Sequence, residues 1–228
     1  MARATGTLDP VAAAPEERPT IALASVERGA ADFEEIRTAA AGCRACDLWA
    51  RATQTVFGSG PVPARLMLVG EQPGDKEDVA GEPFIGPAGG ILAKALEEAG
   101  IDREETFVTN VVKHFKWRPA PGGKRRLHEK PNKVEVGACL PWVEAELALV
   151  KPEALVLLGA TAAAALAGPG VSVMRDRGKP LPLDLAPFVV ATVHPSSILR
   201  AGPGREDANR AFIRDLRSVA RRLDGAPD

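Results

Sequence analysis

Two cysteines three positions apart, Cys43 and Cys46, form a C-x-x-C that can present two thiolates to one metal centre. A pair of ordinary buried thiols fits the same spacing. Two ligands do not hold a cluster. Cys139 supplies a third, and His114, in Val111-Val112-Lys113-His114-Phe115-Lys116, is the candidate for a fourth; the alternative is a surface histidine beside lysines. A second set of reactive types stands in short polar stretches: Gly70-Glu71-Gln72-Pro73-Gly74, Asn110, and His194-Pro195-Ser196-Ser197. Glu71 and His194 lie outside any apolar periodic run, so a carboxylate and an imidazole are free for acid–base work or charge stabilisation. Asn110 carries a donor and an acceptor on one amide, or else caps a strand end. A third set is basic. Between Lys113 and Lys130 seven Lys or Arg (113, 116, 118, 124, 125, 126, 130) face one acidic residue, Glu129, a charge pattern suited to phosphates or to a solvated loop.

The elements that must position these groups alternate. Four short runs rich in Val, Leu or Ile read as strands: Leu66–Gly70, Phe107–Val112, Ala154–Gly159 and Phe188–Val193. Helical periods follow or separate them over Ala88–Ala99, Lys133–Val150, Ala160–Ala167 and Arg205–Leu223, and an earlier one spans Ala31–Ala50, with Cys43 and Cys46 inside it. Strands alternating with helices predict an α/β fold, a three-layer α/β/α sandwich around a central four-stranded parallel sheet. Ligands in such sheets bind beyond the carboxyl ends of the strands, where Glu71, Asn110 and His194 all fall. Residues 1–30, rich in Ala, Pro, Glu and Thr without a sustained period, predict a flexible arm, leaving 31–228 as the folded domain.

Composition bounds the rest. A formal charge of −1 over 228 residues gives no global attraction for nucleic acid, so any such attraction must be local. No apolar run is long enough for a membrane span, and the N-terminus lacks a secretory pattern. An odd three cysteines then point to a reduced, cytoplasmic setting and a metal or redox role. A monomer is expected.

Taken in order, C-x-x-C, G-E-Q-P-G, T-N-V-V-K, A-C-x-P-W and H-P-S-S-x-L-R resemble the iron–sulphur uracil-DNA glycosylases of family 4, over about residues 40–223. The resemblance implies a [4Fe–4S] cluster on Cys43, Cys46, His114 and Cys139, with zinc on the same four ligands as the alternative. His114 stands where the family has a cysteine, and imidazole can replace thiolate on iron. Gln72 stands where ordinary members carry a small residue, and the stretch Gly122-Gly123-Lys124-Arg125-Arg126-Leu127-His128 is an insertion they lack. G-E-Q-P-G together with K-R-R-L-H is similar to the UdgX subgroup, which cross-links itself to the DNA from which it has excised uracil.

The resemblance implies roles residue by residue. Uracil-containing DNA, single- or double-stranded, is the expected partner. Asn110 would read the uracil edge, accepting from N3–H and donating to O4; Phe84 would stack on the flipped base, and Gln72 would help line its pocket. His194 would stabilise charge on O2, and Glu71 would stabilise the sugar cation or orient a nucleophile. His128 would capture the sugar at C1′, the alternative being a loop that only binds DNA. Lys124, Arg125, Arg126, Ser196, Ser197 and Arg200 would contact phosphates, with Ile198 or Leu199 as a wedge in the stack. Three competing functions remain: a multiple-turnover glycosylase using water, a non-catalytic metal-bearing damage-binding module, and an electron-transfer protein.

Overall fold

A computed structural model describes residues 9–123 and 125–225. Four five-residue strands, β1 (Leu66–Gly70), β2 (Thr106–Asn110), β5 (Ala154–Leu158) and β6 (Phe188–Thr192), form one parallel sheet in the order β2-β1-β5-β6. Every residue of these strands is buried, as continuous apolar runs covered on both faces must be. Alternation sorts their side chains. Met67, Val69, Phe107, Leu155, Leu157, Val189 and Ala191 pack under α1 (Arg18–Glu27), α2 (Phe33–Ala41), α5 (Lys133–Val150) and α6 (Ala160–Leu166). Leu66, Leu68, Val108, Val156, Leu158 and Val190 pack under α4 (Pro87–Ala99), α8 (Pro195–Leu199) and α9 (Arg205–Leu223). The expected three-layer sandwich is the fold.

Three local features differ from the sequence reading. The helix expected over Ala31–Ala50 stops at Gly42, and Cys43 and Cys46 lie on an irregular loop before a 3-10 turn at Asp47–Ala50. An Asp32–Glu35 capping box starts α2, and beyond Gly42 the guanidinium of Arg18 fills the space a side chain there would need. Part of the expected arm is a packed element: α1 buries Ala22, Ser25 and Val26, and Arg18 donates to the Ala39 carbonyl at 3.2 Å. Its buried side chains, Pro19, Ala22, Ser25 and Val26, are mostly small, and small residues give a weak helical period. A two-stranded antiparallel hairpin, β3 (Trp117–Pro119) with β4 (Arg126–His128), rises from the sheet's carboxyl end and pairs Trp117 with His128. Strands of three residues leave no readable period.

The chain turns from β1 to β2 on one side and later places β5 on the other. The switch point of the sheet therefore lies between the ends of β1 and β5. No helix among the described residues is long and apolar enough to cross a membrane.

Candidate active site

At that switch point opens a cleft of about 960 Å³, lined among others by Glu71, Gln72, Phe84, Asn110, His128, Thr161, His194 and Arg200. Glu71, the first residue after β1, meets Thr161 from the start of α6, whose hydroxyl donates to Oε2. Its other oxygen, Oε1, lies 3.3 Å from His128 Nε2. Burial raises the Glu71 carboxyl, but hydrogen bonds from His128 and Thr161 and the nearby imidazoles outweigh it and hold the group below its ordinary value. Glu71 is thus an ionised carboxylate in a partly dry pocket.

His194 caps α8. Its Nδ1 accepts from the Ser196 backbone N–H at 3.1 Å, which assigns the ring proton of the neutral form to Nε2. Burial pushes its pKa down to about 4, so it is uncharged at neutral pH. An uncharged donor held by a helix cap costs no reorganisation when negative charge develops beside it. Ser197 Oγ donates back to the His194 carbonyl at 2.8 Å. Both serines are therefore engaged in holding this turn.

Asn110 ends β2 in register with Gly70. A side chain at Gly70 would collide with Asn110 Oδ1 and stand 2.7 Å from the Phe84 ring, so glycine here leaves the amide its place. Asn110 is 3% exposed, and its Oδ1 is buried with no hydrogen-bond partner. A buried carbonyl left unpaired costs about 1–3 kcal/mol and asks for a donor from a ligand. Phe84 adopts a left-handed backbone (φ 58°), and Glu77 accepts the Gly86 N–H at 2.7 Å to brace the same loop. The Phe84 and His194 rings stand with centroids 6.0 Å apart.

The hairpin brings His128 to the cleft. Gln72 fastens it: Nε2 donates to the carbonyls of Lys116 (3.2 Å) and Glu129 (3.1 Å), and Oε1 accepts the Lys116 N–H (3.1 Å). All of these partners belong to the hairpin base, so the geometry makes Gln72 a clamp beside His128, with its polar atoms engaged by protein backbone. Arg126 is drawn inward in the same way. It pairs with Asp78 and Asp75 at 2.5 Å each and lies over Phe115 and Trp117, and so anchors the hairpin with a charge already matched.

The basic stretch shrinks accordingly. Lys113 is buried against Glu146, and Lys116 pairs with Glu135 at 3.0 Å. Arg118, Arg125 and Lys130 stay exposed, as does Arg200 at the cleft. Lys124 lies outside the described residues. Ile198, expected as a possible wedge, is 1% exposed and packs under α4, because its position in α8 faces the sheet layer; Leu199 lines the cleft.

The cysteines lie in the layer of α2 and α5. Cys43, Cys46 and Cys139 are all reduced and near enough for their charges to couple. Burial pushes the Cys139 thiol up to about 12. The Trp142 indole N–H donates to Cys43 Sγ at 3.3 Å and the Lys113 N–H to Cys139 Sγ at 3.2 Å. N–H donors aimed at sulphur fit thiolates held on a metal. His114 is buried, and its Nε2 meets Thr55 Oγ1 at 2.9 Å. Among the described residues no group of three or more His, Cys, Asp or Glu stands in a metal-holding arrangement. The three cysteines fit a metal by their chemistry, whereas the fourth corner expected at His114 is turned to a hydroxyl.

The family model for the uracil DNA glycosylase superfamily matches residues 57–217. The chain belongs to the uracil-DNA glycosylase superfamily. It is similar to the Type-4 uracil-DNA glycosylase of Thermotoga maritima, with 38% identity over 69% of this chain and 78% of that protein. The Type-4 uracil-DNA glycosylase of Saccharolobus solfataricus is 31% identical over 81% of this chain and 83% of its own length. With that of Pyrobaculum aerophilum, identity is 38% over 59% of this chain, and the match spans just under two thirds, 64%, of the relative. The matched region of this superfamily member contains every residue lining the cleft, and it excludes Cys43 and Cys46.

Sequence reasoning missed Thr161, which holds Glu71, and the Lys113–Glu146 pair beneath Asn110. Thr161 sits in an alanine-rich helix start with no motif around it. Lys113 was counted as surface charge, since nothing in one dimension tells a buried lysine from an exposed one.

Proposed function

We propose that this superfamily member excises uracil from DNA as a repair enzyme and then captures the abasic sugar covalently on His128. The observation that carries the reading is the placement of His128 Nε2 3.3 Å from Glu71 in the cleft that also holds Asn110 and His194. The relatives named as Type-4 uracil-DNA glycosylases support the base and the bond.

Each residue has a task. The unpartnered Asn110 Oδ1 accepts from uracil N3–H, and its amide N–H donates to O4; cytosine presents the opposite polarity and leaves both unpaired. Phe84 offers a ring for the flipped base to stack on. When the N1–C1′ bond breaks, its electron pair leaves with uracil, and His194 Nε2–H donates to O2 where the charge collects. Ionised Glu71 stabilises the cationic sugar. His128 Nε2 gives its proton to Glu71 as it bonds to C1′, and Glu71 passes that proton to solvent. The neutral alkylated imidazole is a poor leaving group, so one protein consumes one uracil. Arg125, Arg200 and Lys124 would meet phosphates, together with Ser196 and Ser197 through the turn they hold; Gln72 and Arg126 act on the hairpin. Cys43, Cys46 and Cys139 would supply three ligands of a [4Fe–4S] cluster with a structural role, and His114 the fourth only on giving up its contact with Thr55, zinc being the alternative. A monomer acting on single- or double-stranded DNA, with 31–228 as the catalytic domain and α1 packed against it, completes the reading.

The test is stoichiometry. Excess uracil-containing oligonucleotide is incubated with the protein, and free uracil is counted by chromatography. One uracil per protein is expected. Many per protein would replace capture by water and leave excision standing; none would remove the enzyme reading.

A further inference from the structure

The end of β2 carries a buried ion pair that no step above uses. Lys113 and Glu146 have side-chain exposures of 1% and 0%, with Nζ 2.6 Å from Oε2. The ammonium's other two contacts are Thr109 Oγ1 at 2.6 Å and the Asn110 carbonyl at 2.7 Å, so its three N–H groups are matched. Glu146 Oε1 accepts from the Thr109 hydroxyl at 3.1 Å and the Gly58 N–H at 2.9 Å. Gly58 is bare for this reason: a side chain there would collide with the Phe107 ring and stand 2.7 Å from that oxygen. The network is closed, and it encloses residues 109 and 110.

Such a pair is poor value as a stabiliser. Burying two charges costs several kcal/mol each, and an apolar pair of the same volume is often as stable or more so. What the pair achieves is local. The peptide that follows Asn110 is held from both sides, since Lys113 grips the Asn110 carbonyl and the Val111 N–H donates to the Gly70 carbonyl at 3.0 Å. The Asn110 side-chain oxygen, buried without a partner, stays where a base can meet it. An apolar pair would pack equally well and leave that carbonyl ungripped.

We propose that Lys113, with Glu146 as its counter-ion, is a positioning residue that fixes the main chain of Asn110 and through it the amide that reads the base edge. The proposal rests on the reading of Asn110 given above.

A double-mutant cycle separates positioning from plain stability. Free uracil release from a single-stranded uracil oligonucleotide is measured under single-turnover conditions for wild type, Lys113→Met, Asn110→Ala and the double variant. The cycle is repeated with Lys113→Met/Glu146→Gln, which removes both charges and guards against misfolding from a lone buried carboxylate. Asn110→Ala is expected to slow release by about 10–100-fold. Loss of Lys113 is expected to slow it about 30-fold when Asn110 is present and less than about 3-fold when Asn110 is already Ala. Equal losses in the two backgrounds, in either form of the cycle, would overturn the proposal. If Asn110→Ala alone leaves release unchanged, the base-edge reading falls and the proposal falls with it, a result readily told from equal losses.

Discussion

His194 shows how one side chain acquires its chemistry from its surroundings. Its Nδ1 is spent on the Ser196 backbone and its ring is buried, so it stays neutral down to about pH 4. The unfolded chain carries an ordinary histidine with a pKa near 6.5. Between pH 6.5 and 4 the unfolded state therefore binds the extra proton, and stability falls as pH falls through that window. At pH 5 the loss from this residue is about 2 kcal/mol relative to pH 7, by the linkage relation. Urea midpoints at the two pH values should show it, and His194→Gln should shrink the difference by about that amount, while buried His114, also held down to about 4, keeps its own share. A pH dependence unchanged by that substitution would mean His194 is not held neutral. Glu71, Asn110 and His194 were legible in the sequence because polar residues after apolar runs have few other uses. The partners that tune them, Thr161 and Lys113, were not, because a threonine or lysine shows its partner only in three dimensions.

At the scale of elements, the hairpin decides what His128 can do. It is joined to the domain by the Gln72 clamp at its base and by Arg126 on Asp75 and Asp78 near its tip. Gln72→Ala removes three hydrogen bonds to backbone, at about 1 kcal/mol each, without touching Glu71, Asn110 or His194. Covalent capture should drop at least 10-fold while uracil release changes less than about 3-fold, read on the same reaction by electrophoresis and by chromatography. A parallel loss of both would return Gln72 to the uracil pocket. The four sheet strands could be read from the sequence because buried parallel strands are short apolar runs. The hairpin could not, since three-residue strands carry no period. The cysteine loop was hidden for the opposite reason: α2's helical pattern runs on past Gly42, while the backbone leaves the helix there (φ −103°, ψ 13°).

Across the whole molecule, two chemistries occupy different places. The cleft lies at the strand ends, and the three cysteines lie in the α2–α5 layer, joined to it through Lys113, whose amide meets Cys139 and whose ammonium meets Asn110. If the three cysteines hold the proposed [4Fe–4S] cluster, protein purified without oxygen should contain iron and labile sulphide. Cys43→Ser should lower the melting temperature and soluble yield before it alters the preference for uracil over cytosine. Stoichiometric zinc without sulphide would contradict the iron assignment. A net charge of −1 also fits this layout, because Lys130 and Arg200 place positive charge at the cleft, with Arg118 and Arg125 exposed on the hairpin, while the rest of the surface compensates. Denaturing electrophoresis shows whether His128 bonds to the sugar. Wild type mixed with uracil-containing DNA should give a band of protein plus DNA that survives boiling in detergent, and His128→Ala should give none while still releasing uracil. A His128→Ala chain that cross-links as efficiently as wild type would mean that His128 is not the residue bonded to the sugar.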